Sequence, residues 1–381
     1  MIKKWHLFLF VIILFAGSFY VINLKYDEFY RVNGINNDNR VLIEKYLSKD
    51  EQKYLVENQI PIKNFIKYIK SDDFSLENYQ YYNLLSDTGR YTKSKTILLV
   101  GNALASSLEK LYDEKAYGYA KTLVNNALEH GYLNDKSFDF DNLDYYIVMK
   151  PLYKNDDYIK DTASYIQKLN GRNMSDETIL KKFFTAACQD YTESSLKDLM
   201  KKADDNSIHL IDNPSSLTTI LNDHSYVASY EPKNLVLIQD VHRAKYLMYL
   251  RSDAYKALLK MHQAMDKALR AKLVIKNAYC SYNEIKSLAG TKVAGFNEYQ
   301  LGLTVDITQL DVAYKDFDKS DVSAWLIDNA YKYGFVLRYP QHKASLTGHA
   351  YDAHCYRYVG TSVATTLHAN GSCLDEYMIK K

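Results

Sequence analysis

Side chains suited to metal binding or proton transfer crowd one short run near the C-terminus. Asp352, His354, Cys355 and Arg357 lie within Tyr351-Asp-Ala-His-Cys-Tyr-Arg-Tyr358. Upstream, Asp306 stands where apolar Leu303, Val305 and Ile307 alternate with Thr304, Asp306 and Thr308. That alternation predicts a strand whose apolar set faces a core while Asp306 projects from the other side. An acidic strand residue beside a cluster of Asp, His and Cys offers the donors of a metal centre or of an acid–base pair.

The flanking segments are those that would hold such a centre in place. Trp325, Leu326, Ala330 and Tyr333 recur about one helical turn apart, Gly334 stands in a helix-ending position, and Phe335 to Tyr339 reads as a short strand running into Pro340. Ser252-Asp253 opens a helix with Ala254, Ala257, Leu258, Met261, Met265, Ala268 and Leu269 on one face. Methionine at that spacing predicts packing rather than sulfur ligation. The helix leads to Leu273-Val274-Ile275, a strand ending at the loop Tyr279-Cys280-Ser281.

At these residues the chain resembles the zinc D-alanyl-D-alanine carboxypeptidases of the VanY type, which trim the terminal D-Ala from peptidoglycan stem peptides. GLTVDI (Gly302 to Ile307) is similar to that family's GLAVDI, and WLIDNAYKYGFVLRYP (Trp325 to Pro340) follows its W-L-x-x-N-A-x-x-Y-G-F-x-L-R-Y-P. TGHAYDAHCYRYVG (Thr347 to Gly360) lies over T-G-x-x-Y-E-P-W-H-Y-R-Y-V-G without a gap, and Asn213 to Asn222 with Tyr230 to Val236 resembles the family's leading segment. The resemblance implies an α+β fold with a small antiparallel sheet over the last part of the chain.

It also implies where the chemistry should be, and there the chain departs from the pattern. The family binds zinc through the His of an S-E-H triplet, an Asp seven residues on and the His of E-P-W-H. Here the triplet is Asn297-Glu298-Tyr299, the Asp is kept as Asp306, and the last position is Cys355. The general base, a Glu in the family, is Asp352; the substrate-carboxylate Arg is Cys280, followed by Ser281; and a family Gln is Ile285. By the same resemblance Cys280, Ser281 and Asn297 occupy substrate-side positions.

A catalytic zinc takes three protein ligands at about 2 Å and leaves a place for water. A phenol releases its proton only near pH 10 and is a poor donor. The shorter Asp352 would stand about 1.5 Å from where a Glu carboxylate reaches, a misplacement that can cost on the order of 100-fold. No thiol replaces a bidentate guanidinium. The substitutions therefore point to a pseudoenzyme that needs no cofactor and still binds a peptidoglycan stem peptide or an envelope protein. Two other readings stand: an active zinc carboxypeptidase with a rearranged site built from Asp306, Cys355 and either Tyr299 or His349, with Asp352 as base; and a structural envelope protein acting through its helical region.

The resemblance brings Cys280 and Cys355 into one cleft, where they form either a disulfide or two free thiols; Cys188 and Cys373 have no evident partner. His354 should point away from the side on which Cys355 lies, as adjacent strand residues do. His342 and His349 flank the site loop as solvated residues.

The chain has 381 residues, a net charge of +2 and 25% charged residues, which excludes a nucleic-acid-binding surface as an expectation. Lys3 and Lys4 precede an uncharged run from Trp5 to Leu24, about 30 Å as a helix, so residues 1–24 read as a single-pass membrane anchor with the remainder extracytoplasmic. Ala16-Gly17-Ser18 offers the alternative of a signal-peptide cleavage site. Residues 25–205 read as helical: Ser48-Lys-Asp-Glu51 is a capping box, and Ile62, Phe65, Ile66 and Ile69, like Leu104, Leu108 and Leu111, form apolar stripes. Phe74-x-Leu76-x-Asn78-x-x-x-Tyr82 recurs as Phe138-x-Phe140-x-Asn142-x-x-x-Tyr146, either as two similarly capped helix starts or as a duplicated unit. Pro214, in a polar stretch, marks a boundary, and residues 206–381 form the carboxypeptidase-like domain.

Overall fold

In the computed structural model the apolar N-terminal run is one helix, Lys4–Lys25. Its Lys4–Ile22 stretch is long and apolar enough to cross a membrane by length and composition. The structure describes residues 4–25, 32–87, 89–103, 115, 118–119, 122–123, 126–127, 137–172, 174, 176–290 and 292–379. The expected stripe Leu104, Leu108 and Leu111 lies outside them. The chain divides into two compact units, Met1–Ile147 and Val148–Lys381.

In the first unit, Ser48 caps the helix Lys49–Glu57 with the predicted reciprocal bonds to Glu51. Ile43, Leu55, Ile62, Phe65 and Ile69 share one buried cluster. The Ile62 stripe is thus buried as expected, but only Ile62–Asn64 is helical and it is a 3₁₀ turn, with successive turns after it. Apolar spacing near three or four residues fits both kinds of helix, so periodicity could not separate them.

The recurrent motif has the same build in both places. Leu76–Asn78 and Phe140–Asn142 are 3₁₀ turns that open the helices Tyr79–Asp87 and Leu143–Met149. In each, the backbone N–H after the first Phe donates to the distal Tyr hydroxyl: Ser75 to Tyr82 at 3.1 Å and Asp139 to Tyr146 at 3.0 Å. The Phe and Tyr rings lie 5.6 and 5.5 Å apart. A further copy, missed in the sequence, runs Ile60-x-Ile62-x-Asn64-x-x-x-Tyr68, with its 3₁₀ turn at the same position. Its second residue is Pro61, which has no N–H to give. Tyr68 accordingly turns its hydroxyl elsewhere and donates to the Tyr82 carbonyl at 3.2 Å.

The second unit begins with the helices Tyr158–Asn170, Glu177–Asp190 and Glu193–Met200. Hydrogen bonds join them to the segment after residue 206: the Tyr191 hydroxyl donates to the Ile211 carbonyl at 2.6 Å, and the Ser215 N–H to Asp190 at 2.9 Å. The strands follow: β1 His209–Leu210, β2 Ser225–Tyr226, β3 Leu235–Leu237, β4 His242–Arg243, β5 Tyr249–Arg251, β6 Leu273–Asn277, β7 Thr304–Gln309, β8 Phe335–Tyr339 and β9 Asp352–Tyr358. The main sheet runs β4-β6-β7-β9-β8. It is antiparallel except where β4 pairs parallel with β6. The expected α+β architecture, with an apolar N-terminal helix, a helical middle and a small C-terminal sheet, is the one observed.

Local rules account for these elements. The helix Ser252–Leu269 buries Ala254, Leu258, Met261 and Met265, so its methionines are core. Leu303, Val305 and Ile307 are fully buried, while on the other face Asp306 is half-buried between Thr304 and Thr308, which are buried as well. Gly334 ends the helical stretch before β8 with φ +85, and a Cβ there would sit 2.7 Å from the Tyr358 ring. Only glycine fits that position.

Candidate functional site

Strand pairing sets out the site as a row across the sheet. Asn277 on β6 pairs with Asp306 on β7, and Asp306 pairs with Cys355 on β9. The 3₁₀ turn Glu298–Leu301 precedes β7 and carries Tyr299. The Asn297 side chain caps this turn by accepting from the Tyr299 N–H at 3.0 Å. Tyr299 then reaches over the row, its hydroxyl donating to Asp306 Oδ1 at 2.5 Å with Cys355 Sγ at 3.8 Å. The three positions that the resemblance assigns to a cation therefore bond to one another.

Burial governs the protonation of all three. It pushes the Tyr299 phenol far above its ordinary value, with the neighbouring Cys355 and Asp306 adding to the shift. It also pushes the Cys355 thiol well up, and Asp306 adds to that. The Asp306 carboxyl rises to about 6, chiefly by burial and further by the Asp352 charge, although the Tyr299 hydrogen bond works the other way. Zinc takes imidazole, thiolate or carboxylate donors. Here its three family positions would offer a phenol, a buried thiol and a carboxylate already engaged by the phenol, with no imidazole among them. These residues do not fit a catalytic zinc.

The Asp306 shift has a sign that can be measured. Its folded value lies above the ~3.9 of an unfolded aspartate, so the stability it contributes is complete below about pH 4 and is lost as pH rises through about 6. Against Asp306→Asn, the wild type should lose about 2–3 kcal/mol of unfolding free energy between about pH 4 and 7. Urea titrations of both proteins across that range provide the check; parallel curves would show that Asp306 holds no shifted proton.

The other expected site residues have mixed placements. Cys280 is half-buried, and its thiol lies 3.7 Å from Asn277 Oδ1. All of Cys188, Cys280, Cys355 and Cys373 are free, so a disulfide between Cys280 and Cys355 is not formed. Their thiols have different neighbours, Asn277 for Cys280 and Tyr299 for Cys355. The Ser281 hydroxyl serves the capping box of the helix Tyr282–Ala289, accepting from the Glu284 N–H and donating to its carboxylate at 2.8 Å. Ile285 is buried core. Asp352 opens β9, where one oxygen accepts from the His354 N–H at 2.9 Å. His354 is packed as expected: its ring stacks on Tyr314 at 3.6 Å, and its two nitrogens lie 2.8 and 3.1 Å from the Ile307 and Tyr314 carbonyls. His349 is exposed and sits against the Tyr339 ring at 4.5 Å.

Beneath the row lies a buried ionic network that sequence reasoning missed. Glu298, next to Tyr299, accepts from Arg338 Nε at 2.9 Å and from Arg357; Arg338 also bonds Asp375 at 2.6 Å. Both arginines are fully buried, and Glu298 and Asp375 nearly so. Arg357 donates further to the Thr219 carbonyl at 2.7 Å, and the Leu221 N–H donates to Glu298 at 3.3 Å. Burial works to raise the Glu298 carboxyl, but the Arg357 and Arg338 guanidiniums outweigh it and hold it below the usual range. The network ties the leading segment, the Tyr299 turn, β8, β9 and the last described helix to one point. The available signal was Arg338 within the otherwise apolar run Phe335 to Tyr339, where a charged residue is unusual.

The row on β6, β7 and β9 and the turn that carries Tyr299 fall within a stretch that matches a known family. The family model described as VanY, D-alanyl-D-alanine carboxypeptidase, matches residues 247–361. YodJ of Bacillus subtilis (strain 168), which carries a carboxypeptidase name, is 30% identical over 248 residues, 59% of this chain and 89% of that protein. A D-alanyl-D-alanine carboxypeptidase of Enterococcus faecalis (strain ATCC 700802 / V583) is 32% identical over 139 residues, 36% of this chain and 50% of the relative. Among solved structures, the LdcB LD-carboxypeptidase, described with its molecular basis of peptidoglycan recognition, is 31% identical. It covers 46% of this chain and 91% of its own, with a TM-score of 0.42. The chain belongs to the VanY-type D-alanyl-D-alanine carboxypeptidase family.

Proposed function

We propose that this chain is a membrane-anchored, extracytoplasmic family member that has lost turnover and keeps its cleft for binding the end of a cell-wall stem peptide. In this reading residues 1–24 anchor, residues 25–205 connect the anchor to the binding part, and residues 206–381 bind, with the helices from Tyr158 belonging to the same compact unit as the latter. The hydrogen bond from Tyr299 to Asp306, with Cys355 beside it, carries the reading. It occupies the ligand positions with groups that satisfy each other. Cys280 and Asp352 at the substrate-Arg and base positions support it from the substrate side. The exposed, apolar N-terminal helix supports the anchor.

The test uses the full chain in detergent with a synthetic peptide ending in D-Ala-D-Ala. Calorimetry should show binding. D-Ala release should stay at the buffer level with or without added zinc, and zinc after dialysis should be well below one per chain. Stoichiometric zinc together with D-Ala release would overturn the loss of turnover. Absence of peptide binding would overturn the retained cleft and leave the helical region as the working part.

A further inference from the structure

The loop between β4 and β5 presents apolar side chains to solvent on a fixed support. Tyr246 is 83% exposed and Leu247 59%, while the next residue, Met248, is buried. Tyr246 is more exposed than any large apolar residue of the N-terminal helix. Single apolar side chains at a surface are ordinary. These two are adjacent, and hydrogen bonds hold the loop on both sides of them. The Ala244 N–H donates to the Ile275 carbonyl and the Ile238 N–H to the Met248 carbonyl, both at 2.9 Å. Arg243 donates to the Tyr246 carbonyl at 3.0 Å and to the Gln239 carbonyl at 3.2 Å, with its guanidinium 5.9 Å from the centre of the Tyr246 ring.

Cations share a cavity with this tip. His242, Arg243, Lys245 and His262 line it together with Tyr246, and its volume is about 650 Å³. Asp240 is the one acid among the described residues that line it, and its carboxylate already accepts from the Tyr255 hydroxyl at 2.8 Å. Lys245 is exposed and makes no ion pair among the described residues. None of Cys280, Tyr299, Asp306 or Cys355 lines the cavity, so it is separate from the row across the sheet.

An aromatic and an aliphatic side chain beside free cations suit the boundary of a bilayer. Tyrosine places its ring among apolar groups and its hydroxyl in water, and Lys or Arg meets lipid phosphate at a gain of about fivefold per residue. A protein partner calls for roughly 800 Å² on each side, more than two side chains of at most about 250 Å² each supply. We propose that the β4–β5 loop docks on an anionic bilayer, with Tyr246 and Leu247 at the headgroup boundary and a lipid phosphate in the cavity beside Arg243 and Lys245. The inference rests on the chain being membrane-anchored, and not on what its cleft binds. It makes the placement of the domain depend on lipid charge.

Tyr246→Trp in the full chain, reconstituted into vesicles whose lipid is brominated near the headgroup end of the acyl chain, tests this. Trp5 lies in the N-terminal helix and Trp325 in a helix of the second unit. Quenching in the parent therefore reports the anchor, and the emission added by the variant reports the tip. The quenched share of that added emission should be at least about fivefold higher in phosphatidylglycerol than in phosphatidylcholine. Adding Lys245→Gln should lower it about fivefold in phosphatidylglycerol, while Lys245→Arg should keep it. Unchanged thermal unfolding of the variants serves as the folding control. If the parent is quenched and the added emission is not, the tip does not dock, and the inference fails while the anchor stands. If neither is quenched, the anchor reading fails and takes this inference with it. Equal quenching in both lipids, or in Lys245→Gln and its parent, would remove the role of charge and overturn the proposal. So would a shift of the added emission by inorganic phosphate alone in detergent, which would make the cavity a free-anion site.

Discussion

Glu298→Gln is expected to cost the C-terminal domain about 3–5 kcal/mol, a loss that few single substitutions in a folded domain exceed. The charge lost is the one that faces two fully buried guanidiniums. Arg338 would keep Asp375, but Arg357 would be left with carbonyl partners and no carboxylate. An uncompensated charge in a dry interior is far more costly than a broken pair at the surface. The exposed pair Lys53 and Glu57 is the comparison: Lys53→Ala should cost less than about 1 kcal/mol. Hydrogen exchange of β8 and β9 reads the difference locally, and protection in Glu298→Gln equal to the wild type would refute the energetic role of the network.

The second large effect is a gain. Restoring Cys280→Arg, Tyr299→His, Asp352→Glu and Cys355→His together, with zinc supplied, should raise D-Ala release from background by about 10⁴-fold or more. The magnitude follows from the roles involved, since acid–base and electrostatic groups each contribute a factor of about 10² or more. The scaffold beneath the four positions is intact. Asp306 and Cys355 face each other in register, and Glu298 holds the Tyr299 turn from below. Each single restoration should remain at background, because ligand set, base and carboxylate clamp act along one path. A folded quadruple variant that binds zinc yet stays inert would show that the cleft itself has changed shape. A parent with turnover of its own would remove the premise.

Much of the architecture could be read from local patterns. Alternation around Asp306 gave β7, the run Phe335 to Tyr339 is β8 to the residue, and the helix from Ser252 buries Ala254, Leu258, Met261 and Met265 of its expected face while Ala268 is exposed. These features repeat with the period of their own element, so a single segment carries the information. The ionic network is different in kind. Glu298, Arg338, Arg357 and Asp375 come from separate elements, and no single segment says which of these charges meet. Tyr299 was legible as a missing histidine but not as a bridge, because its partner lies on the next strand. Ser281 and Asn297 were assigned to the substrate side by position in the motif, and their side chains cap a helix and a turn. The helical repeat was half visible: the shared Phe gave away two copies, while Ile60 and Pro61 hid the third. Pro61 also accounts for the one hydrogen bond in which that copy departs from its siblings.

The phenol of Tyr299 changes what the cell must supply. On the proposed reading, a domain closed at its centre by one of its own side chains needs no loading step, and its maturation is independent of metal supply. It should accumulate equally in zinc-starved and zinc-replete cultures, and washing with a chelator should leave its melting temperature where it was.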